Sequence, residues 1–224
     1  MWVKLLGVLI VLALVIGIIS LAKNEGPENT DTEGTEASAP DPPSRAAGGV
    51  VMYEKKAGSD TTLLVAIPDL LTPGQQTRLH SAFARSGGRT VLVSAGSASV
   101  ERLAPGVTAD PATSFDSTLA PACALPAAQR AGTADTGGIR YTTTHLDADE
   151  CYPSERLATL LRLPAPSGDG DTVLLGSPDI LLNAELDRHG NASLALQLLG
   201  SRPHLVWYLP SLADTTAVTG DDER

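Results

Sequence analysis

The chain has 224 residues, 42% hydrophobic and 4% aromatic, with 16 basic against 26 acidic residues and a formal net charge of -10. That length is enough for one ordinary domain with a core, and the acidic balance argues against nucleic-acid binding through phosphate contacts. Two cysteines and four scattered histidines exclude a zinc ribbon or an iron–sulfur cluster, and no cofactor is implied.

The first element is Leu5 to Ala22, an unbroken uncharged run rich in Leu, Ile and Val. At 1.5 Å per residue it spans about 27 Å of hydrocarbon, the length of a membrane helix. Trp2 and Lys4 precede it, while Lys23 is soon followed by Glu25, Glu28 and Asp31, a bias that places the N-terminus in the cytoplasm and the rest outside. A cleaved signal is the alternative, since Ser20-Leu21-Ala22 satisfies a small-x-small rule. The apolar stretch exceeds the roughly 7 to 15 residues of a signal core, which favours a retained single-pass anchor. Residues 1–22 are therefore expected to sit in the lipid bilayer of the cell membrane. Residues 23–45 lack aromatics, Leu, Ile and Val and carry mostly acids, the composition of a disordered spacer. Residues 46–224 are left as an extracytoplasmic domain.

Within that domain, strand-length apolar runs alternate with helix-period segments, which predicts an α/β fold with a mainly parallel sheet and flanking helices. Thr62 to Ile67 and Thr90 to Ala95 read as buried strands. Between them Thr72, Pro73 and Gln75 make a capping box, with Leu79, Ala82 and Phe83 facing inward and Gln76, Arg78 and Arg85 facing water. Ser97 or Ser99 then caps a short helix that Pro105-Gly106 ends. Val107 to Thr136 has no period and reads as a long excursion from the sheet. Gly138 to Thr144 alternates as a strand, and Ser154 is expected to cap a short helix through Leu157, Leu160 and Leu161 that Pro164 stops. Thr172 to Gly176 is another strand, Ser177-Pro178 opens a short helix, and Asn191 caps a second one, Ala192 to Leu199, that is apolar nearly all round. His204 to Leu209 is the last strand.

Cys123 and Cys151 flank irregular segments, and outside the cytoplasm two cysteines most often pair, so a disulfide is expected between them. A nucleophilic serine on a strand-to-helix turn would belong at Ser94-Ala95-Gly96-Ser97, but that turn lacks the G-x-S-x-G pattern. None of His80, His145, His189 and His204 falls in a triad-like order, so catalytic residues are expected to be absent. Asp147, Asp149 and Glu150 read as a solvated acidic loop, with no Gly-centred calcium loop and no metal site.

Gly176 to Gly200 (GSPDILLNAELDRHGNASLALQLLG) and Leu205 to Asp214 (LVWYLPSLAD) resemble the hallmark block of the family called domain of unknown function 4350. The resemblance extends more loosely to the N-terminal apolar run, to Pro-x-Cys-x-Leu-Pro around Cys123 and to Cys151-Tyr152-Pro153. It implies an actinobacterial, membrane-anchored domain with a flavodoxin-like or class I glutamine-amidotransferase-like sheet and no known activity. It also implies an envelope assembly with MoxR-type ATPases and von Willebrand factor A-like proteins. Family members continue past the LVWYLP block into a second membrane segment, whereas this chain reads polar from Thr219 to Arg224.

The expected function is a non-catalytic extracytoplasmic interaction module with membrane or envelope protein partners. A hydrolase or amidotransferase-like enzyme, or a sensor of a small polar ligand, on the same fold is the alternative. In open α/β sheets ligands sit beyond the carboxyl ends of the strands. That rule points to Asp69, to Ser94 and Ser97, and to Ser177 and Asp179, with Asn183 one helical turn beyond Asp179 on the same face.

Overall fold

A computed structural model of the chain describes residues 58–166 and 169–210; the apolar run Leu5 to Ala22 and the spacer 23–45 lie outside the described residues. Among the described residues no helix is long and apolar enough to cross a membrane.

The strands are β1 (Thr61–Val65), β2 (Arg89–Val93), β3 (Val107–Thr113), β4 (Thr118–Leu119), β5 (Ala134–Asp135), β6 (Ile139–Thr143), β7 (Asp149–Ser154), β8 (Leu157–Pro164), β9 (Asp171–Leu175) and β10 (His204–Tyr208). The helices are α1 (Pro73–Ala84), α2 (Ser97–Leu103), α3 (Pro126–Ala131) and α4 (Asn191–Leu199), with 3-10 turns at Pro68–Leu70 and Asp179–Leu181. The main sheet has eight strands in the order β10-β1-β2-β9-β8-β6-β3, with β7 also paired to β8. Pairings among β10, β1, β2 and β9 are parallel. Those of β9 with β8, of β8 with β6 and β7, and of β6 with β3 are antiparallel.

The sheet is thus mixed and mostly antiparallel, which corrects the expected mainly parallel, flavodoxin-like or amidotransferase-like architecture. The error began at Ser154. Leu157, Leu160 and Leu161 have helical spacing, yet they lie on β8, whose residues 158–161 are all buried. A strand covered on both faces loses its two-residue alternation, so its apolar residues take on any spacing. The turn before it is equally concealed: Glu155 and Arg156 have φ of 50° and 71°, the paired left-handed geometry of a two-residue hairpin, without the usual Asn or Gly. The segment Val107 to Thr136, expected to leave the sheet, instead opens with β3 at its edge.

The capping box forms as expected, with Thr72 Oγ1 accepting from the Gln75 amide and the Gln75 side chain accepting from the Thr72 amide. On one face of the sheet, Leu79 and Phe83 of α1 and Val100 and Leu103 of α2 cover Leu63, Leu92, Leu161 and Leu174. On the other, Leu194, Ala195 and Leu198 of α4 cover Leu64, Val91, Leu160 and Val173. Cys123 and Cys151 are bonded, tying the loop after β4 to β7 across 28 positions. On the chain-entropy model such a ring contributes about 3 to 4 kcal/mol.

At the start of β9, Asp171 accepts a bidentate pair from Arg89 of β2 (Nε 2.7 Å, Nη2 2.6 Å) and a third bond from Arg162 Nε of β8 (2.7 Å). Arg162 reaches on to Asp149 of β7 at 3.0 Å. The Asp171 side chain is 3% exposed. Its burial favours the neutral acid, but the hydrogen bonds and charges of the two arginines outweigh this and hold its pKa below the ordinary carboxylate value. A carboxyl depressed on folding stabilises fully above its unfolded pKa of about 3.9, and that contribution fades as pH falls through the lower folded value. Asp171→Ala, which leaves two guanidiniums without their acceptor, should cost about 3 to 5 kcal/mol in urea unfolding at pH 7. Asp171→Asn should remove this residue's share of the stability loss seen below about pH 4.

Candidate functional site

The carboxyl ends of β1, β2, β9 and β10 form one crest, and five of the six expected site residues lie in the segments that directly follow three of these strands. Asp69 belongs to the 3-10 turn after β1. Its carboxylate accepts from the Gly96 amide, at 3.2 Å to each oxygen, and from the Ser99 hydroxyl. The N-terminus of α2 is therefore capped by a carboxylate from another loop. Gly96 occupies the cap position and makes no side-chain bond, so neither Ser97 nor Ser99 caps the helix as expected.

Ser99 also receives a bond from Gln76 Nε2 at 2.9 Å, and the same nitrogen donates to the Pro68 and Leu71 carbonyls at 3.2 Å each. Gln76, expected to face water, is buried. Its neighbours are the carbonyls of the turn that carries Asp69, so the amide fixes the loop that positions the carboxylate. Beneath them Tyr141 donates to the Ala95 carbonyl at 3.2 Å. Burial, and then the charge of Asp69, push the phenol pKa up and keep it a donor.

Ser94 ends β2 with φ of 52°, a left-handed conformation that a side chain rarely adopts. Its amide donates to the Leu175 carbonyl at 2.8 Å and its hydroxyl to the Gly176 carbonyl at 3.3 Å. Ser94 thereby ties the end of β2 to the end of β9. Ser177 is buried, and its hydroxyl accepts from the Asp179 amide at 3.2 Å. The helix expected to carry Asp179 and Asn183 on one face does not form. The 3-10 turn stops at Leu181, Leu182 is extended, and Asn183 is exposed beyond it. Ser97 is exposed at the rim of a shallow pocket of about 400 Å³ that Asp69, Gln76 and Arg102 also line.

Every histidine is engaged away from these serines. His80 Nδ1 lies 3.2 Å from the Leu103 carbonyl and His145 Nε2 lies 2.8 Å from that of Pro105. His189 and His204 face Asp135 at 4.0 Å and Asp60 at 3.4 Å. The polar groups of the crest are spent largely on holding loops to one another.

Two features were not foreseen. Asn191, expected as a helix cap, instead makes a reciprocal pair with Asp135: its Oδ1 accepts from the Asp135 amide and its Nδ2 donates to Asp135 Oδ2, each at 2.8 Å. The second feature is the edge strand β10. In its ladder the His204 amide donates to Asp60 and the Tyr208 carbonyl accepts from Ala66, so residues 204, 206 and 208 bond to β1. Backbone groups alternate sides along a strand, and those of Leu205 and Trp207 therefore point away from β1, to a side where no described strand pairs. Their side chains are 48% and 60% exposed, and Leu209 beyond them is also exposed. The run HLVWYL is apolar on both faces, which in sequence signals a fully covered strand.

The family model described as a domain of unknown function (DUF4350) matches residues 29–199. The uncharacterized membrane protein Rv3691 of Mycobacterium tuberculosis is 33% identical over 167 residues, covering 73% of this chain and 41% of that protein. The chain thus spans about two fifths of the length of this relative. A solved structure of the mmIFT52 N-terminal domain is similar to 63% of this chain and covers 72% of its own, at 14% identity and a TM-score of 0.39.

If Asp69 serves the fold in this way, Asp69→Ala strands the Gly96 amide and frees Ser99, and should lower stability by about 1.5 to 3 kcal/mol. Ser97→Ala, at an exposed hydroxyl, should stay within about 0.5 kcal/mol of the parent. Denaturant midpoints of the two variants check this, and equal costs would contradict the assignment.

Proposed function

The chain belongs to the family of the domain of unknown function DUF4350, and from that premise we propose that it is a membrane-anchored, extracytoplasmic, non-catalytic interaction module. Its partner adds a β-strand to the free edge of β10. The observation that carries the reading is the contrast between the two edges of the sheet. The β3 edge has Asp110, Pro111 and a register break between Ala109 and Thr113, devices that discourage pairing. The β10 edge has no proline, lysine or bulge within the strand. It presents two outward amides and two outward carbonyls beneath an exposed Leu205–Trp207 stripe. Strand addition takes its affinity from such main-chain groups and its specificity from alternate side chains.

The location is supported by the Cys123–Cys151 disulfide, a bond that persists in oxidising compartments. The apolar run Leu5 to Ala22 and the membrane-protein relative support the anchor. Membrane proteins encoded with MoxR-type ATPases, which the sequence resemblance implies, are the partners this reading selects.

A periplasmic-type reporter fused after Arg224 should be active only outside the cytoplasm and should sediment with membranes. Activity of a cytoplasmic reporter at that position would reverse the topology. For the edge itself, a photo-crosslinking residue at position 207 should give a discrete adduct in native membranes, while one at position 110 on the opposite edge should not. Leu205→Pro removes an outward amide without touching the β1 ladder and should abolish the adduct, whereas Leu205→Ala should retain it. Equal adducts at both edges, or an adduct indifferent to Leu205→Pro, would remove strand addition as the mechanism.

A further inference from the structure

A second cavity lies far from the crest, beneath α1 at the end of the sheet where β2 and β9 begin. Its volume is about 270 Å³, and its walls are Leu79 and Phe83 of α1, Leu92 of β2, Leu103 of α2, and Leu163 and Pro164 of β8. Thr90 and Thr172, directly paired across β2 and β9, put two hydroxyl-bearing side chains side by side in this lining. Thr90 is 6% exposed, and its Oγ1 has no hydrogen-bond partner among the described residues.

An orphaned buried hydroxyl is costly, and it demands a partner that the described residues do not supply. Water could satisfy Thr90, but water along the leucine and phenylalanine walls finds few polar partners there. The complement of the whole cavity is a molecule with an apolar body and one polar group directed at the threonines. That molecule carries no charge. Asp171 borders the cavity, but its carboxylate turns to the α4 face of the sheet, where Arg89 and Arg162 neutralise it. The two histidines there, His80 and His145, are held by backbone carbonyls. A buried ion would have no counter-charge to meet.

We propose that this cavity binds a small, uncharged, mainly apolar alcohol or phenol, whose hydroxyl pairs with Thr90. Such a molecule would donate to or accept from Thr90 Oγ1 while its ring or alkyl body replaces water along the leucine wall. The site is independent of strand addition at β10, which lies beyond β1 on the opposite edge of β2.

The test uses the full chain in lipid nanodiscs and two matched molecules, para-cresol and toluene, with the methyl resonances of Leu79, Leu92 and Leu163 as readout. Comparing the ratio of the two affinities between variants cancels their partition into lipid. In the parent that ratio should favour para-cresol, and Thr90→Val should reduce it by about 2- to 13-fold, the factor one hydrogen bond supplies. Thr90→Ser, which keeps the hydroxyl, should preserve the ratio and so separates loss of the hydrogen bond from loss of packing. Binding of neither molecule, shifts confined to residues outside the cavity, or a ratio unmoved by Thr90→Val would each overturn the proposal.

Discussion

Asp171 accepts from Arg89 on one neighbouring strand and from Arg162 on the other, at the line where the sheet changes from parallel to antiparallel. A parallel neighbour can be reached only by a crossover, and an antiparallel one by a tight turn. Nothing in the backbone ladder of β9 itself dictates which side takes which. The carboxylate supplies the constraint, because its two oxygens receive guanidiniums only when β2 and β8 both begin or end beside it. A one-residue slip of either strand would turn its arginine to the opposite face. Arg162 carries the lock on to Asp149, so the β7–β8 hairpin is registered by the same charge.

With that end of the sheet fixed by ions, the opposite end is fixed by neutral and singly charged hydrogen bonds between loops. Asp69 reaches across to α2, Gln76 braces the turn behind it, and Ser94 bridges to Gly176. In a nucleotide-binding α/β sheet the corresponding amides are left for a ligand. Here a side chain of the same domain already occupies the α2 N-terminus and braces the crest. Among the described residues, backbone groups without a strand partner lie along the outer side of β10. The strand-addition surface proposed at this edge rests on where the backbone is satisfied, not on which residues are polar.

How far the sequence revealed this depended on how each element is covered. β1, β2, β9 and β10 were legible as strands, and α1 was legible from Thr72, Pro73 and Gln75, because propensity, capping and burial agree there. The Cys123–Cys151 bond was legible from compartment and count. The β7–β8 hairpin was not, since Glu155 and Arg156 adopt left-handed turn geometry without a residue that favours it, and β8 is covered on both faces. Reading β8 as a helix removed the strand that joins β6 and β7 to β9, and with it the antiparallel half of the sheet. Of the site residues, Asp69 and Ser94 were correctly placed after strands, but their partners could not be read, because a carboxylate that caps a distant helix looks in sequence like one that awaits a ligand. Asn183 was misplaced for a local reason: the turn after β9 stops at Leu181, three residues into a spacing that assumed continuous helix.

The same logic explains why Thr90 escaped notice and why it carries information now. In sequence a threonine at the start of an apolar strand is an ordinary β-former. Thr62 Oγ1, Gln76 Oε1 and Arg140 Nε are likewise buried without a partner among the described residues, and Thr90 is set apart from them by lining the cavity under α1. Other buried polar groups are matched. Thr159 donates to the Tyr152 carbonyl, Ser99 meets Asp69 and Gln76, and Asn191 meets Asp135. What makes the Thr90 hydroxyl informative is its place in the wall of a cavity with room for a partner. Valine has nearly the same shape and β-propensity and would fill the position without the penalty of a buried, unpaired oxygen. A threonine held there at a cost to stability is therefore best accounted for by a partner that arrives from outside the fold.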